Sequence, residues 1–433
     1  MESNSNSFYE SEEIDYKYRI KFFYKPIKTN ENYNKVNYLI DLIKIISIFL
    51  FCFNGFSKNS IFNYFINRKI QIKTSNKKTN YSIIKEEILE EQFNENFEKM
   101  KKRYYFDSFL KPYLDNINLL SHVYHKNIEN FKEGKNIIHI CMSFNEGYIY
   151  QILVSVTMAL INCDKNNTFI TYHFLCTPNI KKTTLSILTS LIFKYYSNLE
   201  MFFYDMGNNF INKKDKRLSQ ACYYRILTPI FLNIEKLIYL DGDTLILKDL
   251  NEMYQLEFND NYILGILDVL TDGIDDLGIK SEKYINSGVI LLNLEKIRND
   301  NKIYELINMT NSDIKYHNLD QTILNYVFYP KIGILPSKFG IWNYSDKKDI
   351  QIYLSHLRTK INSNELEESF LNPSIIHTVL CVPKICHKNS YYRTDLTSCK
   401  KSGNCFCEKY QNLWYYYANK TDYYENITDY YNK

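Results

Sequence analysis

The sequence predicts an α/β domain over residues 135–395, built on a mainly parallel sheet flanked by helices and preceded by a helical stem. Two observations carry this. From Lys135 onward short apolar runs alternate with helical patterns, as in strands joined by crossover helices. One of those runs, Lys236–Leu240, passes straight into the acidic triplet Asp241-Gly242-Asp243, and ligands of open α/β sheets collect at the carboxyl ends of strands.

Residues 1–35 are rich in Ser, Asn, Glu and Lys and lack a sustained apolar period, so they read as a polar, disordered tail. Residues 36–56 turn apolar, but Asp41 and Lys44 interrupt what would otherwise be a span of about 20 residues. Two readings stay open: a signal anchor, with Lys17, Arg19, Lys21, Lys25, Lys28 and Lys35 held in the cytosol, or a buried helix. The first makes a single-pass type II membrane protein of the ER or Golgi with a luminal catalytic domain; the alternative is cytoplasmic. Residues 57–134 are dominated by charge, and Glu86–Lys102 alternates acid and base at helical spacing with Ile88, Leu89, Phe93 and Phe97 on one stripe, which predicts the stem.

Within the main domain, strands are expected at Asn136–Met142, Phe169–Cys176, Leu199–Tyr204 and Lys236–Leu240. Helices are expected at Gly147–Ile161, Lys181–Tyr196 and Ser219–Leu232. Residues 396–433 form a Tyr- and Cys-rich tail whose Trp414–Tyr417 stretch either packs on the domain or offers rings to an acceptor.

Lys and Arg number 53 against 49 Asp and Glu, a net charge of +4 that calls for no nucleic acid and no anionic surface as partner. Five cysteines, Cys381, Cys386, Cys399, Cys405 and Cys407, crowd the last fifth of the chain. Disulfides in an oxidising lumen and free thiols both fit, whereas the spacings of a zinc site with His377 and His387 are missing. Sequons begin at Asn80, Asn166, Asn308, Asn343, Asn419 and Asn426, which an Asn-rich chain also generates by chance.

The chemistry concentrates at the triplet. Asp241 and Asp243 flank one glycine, so both carboxylates can face the same way while Gly242 lets another group approach the backbone. Such a pair suits a hard cation, Mn2+ or Mg2+, that bridges to phosphates.

Five segments in order then resemble glycosyltransferase family 8, the retaining enzymes of the GT-A fold. They are Ala221–Leu227 (Y-x-R-L), Lys236–Asp243 (K-x-x-Y-L-D-x-D), Asn286–Asn293 (N-S-G-V-x-L-x-N), Leu319–Asn325 (D-Q-x-x-L-N), and Ile376-His377 followed by Pro383-Lys384. The resemblance spans roughly residues 135–390, and the joint order is far more specific than any single motif.

It implies Asp241, Asp243 and His377 as ligands of the divalent ion and Lys384 as a contact of the donor diphosphate. Arg225 and Gly242 would join the donor site, and Cys141, Ser143 and Asn145 would stand where uridine and ribose bind. The turn Ser143-Phe-Asn-Glu146 departs from the family's acidic-acidic-asparagine pattern. Asp268 would lie beside the transferring sugar, Asn286 and Asp320 would line its pocket, and Gln321 would face the anomeric carbon. Thr322 replaces a second acid, which argues against an enzyme nucleophile there. Away from the resemblance, Asp and Asn at such places are also ordinary caps, Arg225 an ordinary ion pair and Lys384 a surface lysine.

The expected function is transfer of a hexose, glucose or galactose, from a UDP-sugar to a carbohydrate, lipid-linked or protein acceptor. The alternative is a catalytically silent nucleotide-sugar or glycan-binding relative. A nucleotidyltransferase ranks third, because no glycine-rich basic loop follows the first strand.

Overall fold

The computed structural model describes residues 84–85, 87–213, 219–268, 278–314, 316, 318–340, 363–378 and 406–432. Its frame is a nine-stranded sheet. In chain order the strands are β1 (Ile88–Glu91), β2 (Asn118–His125), β3 (Asn136–Phe144), β4 (Thr168–Cys176), β5 (Leu199–Asp205), β6 (Lys236–Leu240), β8 (Ile263–Leu267), β9 (Ile285–Asn293) and β10 (Ile332–Ile334). Across the sheet they lie in the order β1-β2-β5-β4-β3-β6-β9-β8-β10, and only β2 and β9 run against the other seven. The mixed, mainly parallel sheet matches the expected fold class. A separate two-stranded ribbon pairs β7 (Thr244–Ile246) with β11 (Ile375–His377).

Alternation along the strands explains the two cores. On one face Ile138, Ile140, Tyr172, Phe174, Met201 and Phe203 pack under the apolar helix α2 (Ile149–Asn162). On the other, Cys141, Leu175, Phe202, Tyr204, Leu237 and Tyr239 meet Phe97 and Met206. Because β4 is covered on both sides, all nine of its residues are buried, as expected of a central parallel strand.

The N-terminal part of this unit departs from the stem reading. Residues 88–91 and 118–125 are strands that extend the sheet, with α1 (Glu95–Arg103) between them. Two of the inward positions of β2 are polar, Ser121 and His125, and they are satisfied by Glu90 of β1 and by Glu87 just before it. Polar inward residues erase the two-residue period by which a strand is read. Residues 220–227 form a 3-10 turn and only 228–231 an α-helix, because Pro229 has no N–H to continue a helix from the turn before it.

At the other end, α6 (Phe406–Ala418) and α7 (Tyr424–Asn432) are no loose tail. Tyr410, Trp414, Tyr417, Ala418, Ile427 and Tyr431 belong to the same core as α2. Between these ends lie α3 (Lys182–Thr189), α4 (Lys302–Asn311) and α5 (Leu319–Phe328). No helix among the described residues is long and apolar enough to cross a membrane, and residues 36–56 lie outside the described residues. Among the described cysteines Cys141, Cys163, Cys176 and Cys222 are free thiols, while the side chains of the five late cysteines lie outside the described residues.

The second face also buries a carboxylate. Glu200 on β5 is 3% exposed and takes Lys132 at 2.7 Å, His122 at 3.1 Å and the Thr171 hydroxyl at 2.7 Å. Burial alone would raise its pKa, but the His122 and Lys132 contacts, with Thr171, hold it down to about 2. A depressed carboxylate stabilises the fold above the pKa of the unfolded chain and loses that contribution as pH falls toward the folded value. Glu200→Gln is therefore expected to cost roughly 3 kcal/mol at pH 7 and much less near pH 2.5. Urea unfolding at the two pH values checks it, and an equal loss at both would contradict it.

Candidate active site

β6 ends at Leu240, and the next residues turn sharply. The Asp241 N–H donates to the Gly288 carbonyl of β9 at 2.8 Å, and the Thr244 hydroxyl donates back to the Asp241 carbonyl at 2.8 Å. This brings β7 alongside β11, with Thr244 opposite His377 in register. The Thr378 N–H and hydroxyl then donate to the Asp243 carbonyl at 3.1 and 2.7 Å.

Two carboxylates and one imidazole converge as a result. His377 Nε2 lies 3.3 Å from Asp243 Oδ1 and 3.9 Å from Asp241 Oδ2, and the three ligand atoms fall within 4.8 Å of one another. Asp243 and His377 are buried, whereas the Asp241 side chain is 33% exposed and leaves the cluster open on one side. Burial pulls the His377 imidazole down, but the Asp243 charge and hydrogen bond, with the Asp241 charge, raise it above its usual value.

Gly288 shapes the space. A Cβ there would stand 2.3 Å from His377 Cε1 and 2.7 Å from Asp241 Oδ2. Only a residue without a side chain leaves the cradle free, and a divalent cation fits the donor set around it. Gly288→Ala is expected to lower divalent-ion affinity by about 10- to 100-fold, as when an outer-shell partner is lost, with the circular dichroism spectrum unchanged. Calorimetric titration with Mn2+ checks this, and wild-type affinity in the variant would count against the cradle.

Arg225 is a buried hub, not a surface ion pair. Its Nη2 donates to Asp241 Oδ1 at 3.1 Å, its Nη1 to the Ser287 carbonyl, and its Nε to the Cys222 carbonyl at 2.9 Å, while the guanidinium lies 3.9 Å over the Tyr239 ring. Asp320 Oδ2 is 3.1 Å from Nε, yet the single Nε proton is spent on Cys222, so the contact is an ion pair without a hydrogen bond. Burial pushes the Asp320 carboxyl up to about 6 against the pull of Arg225, and the Asp241 charge adds to the rise.

Asp268, Asn286 and Gln321 meet in a second knot. Gln321 Nε2 donates to Asp268 Oδ2 at 2.7 Å, and its Oε1 accepts from Asn286 Nδ2 and the Ser287 N–H, both at 3.1 Å. Asn286 Oδ1 in turn accepts from the Gly288 N–H at 2.8 Å, which ties this knot to the cation cradle. Thr322 turns away to the Tyr284 hydroxyl at 3.1 Å, a pairing shared with Asn318.

The first-strand residues fare differently. Cys141 is fully buried in the second core, its thiol pushed far up by burial, so its side chain meets no ligand. Ser143 is half-buried near the end of β3, and Asn145 Oδ1 accepts from the Gly147 N–H at 2.9 Å and so caps a turn. Lys384 lies outside the described residues. Sequence reasoning passed over Gly288, Tyr239 and Tyr148. Gly288 had a signal, since a glycine inside a strand marks close approach by another group.

Comparison with known proteins follows the same outline. Residues 139–378 match the family described as glycosyl transferase family 8. The lipopolysaccharide 1,2-glucosyltransferase of Escherichia coli is 27% identical over 223 residues, 48% of this chain and 63% of that protein. General stress protein A of Bacillus subtilis is 23% identical over 56% of this chain and 85% of its own length. A Haemophilus influenzae protein provisionally named a glycosyltransferase is 28% identical over 47% of this chain and 63% of its own length, so the match spans less than two thirds of two of these three relatives. Among solved structures, the galactosyltransferase LgtC with donor and acceptor sugar analogs aligns at 18% identity and a TM-score of 0.45, over 64% of this chain and 95% of that one.

The compartment expectation is corrected here. The three relatives are bacterial proteins, and this overturns the reading of a Golgi type II membrane protein with a luminal domain. The matched region begins within β3 and closes one residue past His377, enclosing both aspartates, the imidazole and the glycine between them, and the chain thus belongs to glycosyl transferase family 8.

Proposed function

We propose that the chain is a metal-dependent, retaining hexosyltransferase that moves glucose or galactose from a UDP-sugar to a glycan, glycolipid or protein acceptor. The observation that carries this is the convergence of Asp241, Asp243 and His377 over the Gly288 cradle. A relative named lipopolysaccharide 1,2-glucosyltransferase supports a hexose and a lipid-linked acceptor.

The bond between sugar and diphosphate breaks with its electrons leaving on phosphate oxygen, while positive charge builds at the anomeric carbon. Asp241, Asp243 and His377 would hold a divalent ion, which when bound supplies positive charge beside the departing oxygens. The imidazole in the donor set favours Mn2+ over Mg2+, which prefers oxygen alone. Arg225 fixes Asp241 in place, so the donor set is preorganised before the nucleotide arrives. Asp268, Asn286 and Gln321 would receive the hydroxyls of the transferring sugar. Gln321 Oε1 already accepts two hydrogen bonds, which disfavours its attack on the sugar. Retention then follows from attack by the acceptor on the leaving-group face.

Incubation with a panel of UDP-sugars and Mn2+, reading UDP release, tests the proposal. Release with UDP-glucose or UDP-galactose is expected. Silence with every donor despite UDP binding would instead support the nucleotide-sugar-binding reading, for which the Asn145 turn cap and Thr322 speak, and pyrophosphate release would support nucleotidyl transfer.

A further inference from the structure

The C-terminal helix reaches the wall of this site. Tyr430 on α7 donates its hydroxyl to the Gly147 carbonyl at 3.3 Å, and its ring meets the Tyr150 ring edge-on at 5.3 Å. Gly147 is the middle residue of the 3-10 turn Glu146–Tyr148 that leads into α2, and the next residue, Tyr148, is half-buried beside Asp241 and Asp243. The other side of that turn is set by Gly242. A Cβ there would stand 2.8 Å from Ile152 Cδ1 and 3.9 Å from Tyr148 Cδ1, so the acidic triplet rests directly on Tyr148 and Ile152. A continuous set of contacts thus runs from α7 through Gly147 and Tyr148 to the backbone between the two aspartates.

We propose that Tyr430 is a positioning residue that clamps the turn Asn145–Tyr148 against the acidic triplet, and that α7 thereby sets the affinity for the nucleotide diphosphate. This rests on the transferase reading above. The core contacts of α7 come from Ile427 and Tyr431, whereas Tyr430 is 42% exposed. Its hydroxyl holds the turn at Gly147, while its ring packs edge-on against Tyr150 in the first turn of α2 and against Tyr431 at 4.9 Å.

Two variants of the full chain test it, Tyr430→Phe, which keeps the ring, and Tyr430→Ala, which keeps neither ring nor hydroxyl. Losing one hydrogen bond is expected to raise the UDP-sugar KM and the UDP Kd of Tyr430→Phe by about 3- to 10-fold, with kcat within about twofold of wild type. Hydrogen exchange at the amides of residues 147–151 should quicken in Tyr430→Phe and further in Tyr430→Ala, at an unchanged Tm. Should Tyr430→Ala fail to fold, Tyr430→Phe alone decides, and wild-type exchange and wild-type Kd in it would overturn the clamp. If wild type turns over no UDP-sugar, the transferase reading fails, but the exchange and UDP-binding measurements still decide the role of Tyr430.

Discussion

Asp243→Ala is expected to abolish sugar transfer and donor hydrolysis, with turnover falling by at least about 10² to 10³ at saturating Mn2+. The size follows from how little can replace this carboxylate. Asp243 is the nearer acid to His377, at 3.3 Å against 3.9 Å for Asp241, and it is buried, so water does not readily take its place. The fold should survive the change. The Asp243 carbonyl, which receives the N–H and hydroxyl of Thr378, is retained in alanine, and what the ribbon loses is the carboxylate contact with His377. A normal melting profile with Mn2+ binding lost in calorimetry is the expected pair of results. Equal turnover by wild type and variant would defeat the cation assignment.

That prediction could be framed from the sequence because the relevant signals were local. The run Lys236–Leu240 is apolar apart from its first residue, stops at an acid, and sits opposite β9 in full register, so strand and triplet read together. The helix α2 and the strands β3, β4 and β5 were legible for the same reason, each showing a clean apolar pattern. β1 and β2 were hidden by Ser121 and His125, inward polar residues satisfied by Glu90 on the neighbouring strand and Glu87 just before it. Their partners lie 31 and 38 residues away along the chain, and periodicity sees only one segment at a time.

The site divides along the same line. The types and spacing of Asp241 and Asp243 pointed to a cation, and the resemblance to the family added His377 to them. Gly288 reads as a motif glycine in sequence, and only the meeting of β6, β9 and β11 turns it into the floor beneath the imidazole. Cys141 is the opposite case. Its place in the first strand suggested a donor contact, but strand alternation sends its side chain into the second core instead.

Arg225→Met carries the largest expected effect on stability. Asp320 and Arg225 are each 3% exposed, and the guanidinium is the cation that faces this carboxylate at 3.1 Å. Removing it leaves a buried charge uncompensated, a loss of about 3–5 kcal/mol in comparable pairs. The pH dependence has a definite sign. Asp320 titrates at about 6 in the fold, above its value in the unfolded chain, so its ionisation already works against folding as pH rises through that value. Without Arg225 the carboxyl climbs further, and the deficit of the variant should be greatest at pH 8 and shrink as pH falls toward 5. Adding Asp320→Asn to Arg225→Met should recover most of the lost stability at pH 8, because the stranded charge is gone. Activity should stay low in the double variant, since Asp241 has still lost the bond that fixes it among the cation ligands. Chemical denaturation at the two pH values, beside UDP release by each variant, separates the two roles. A deficit independent of pH, left unrelieved by Asp320→Asn, would mean that Arg225 stabilises through Ser287, Cys222 and Tyr239 and not by answering a buried charge.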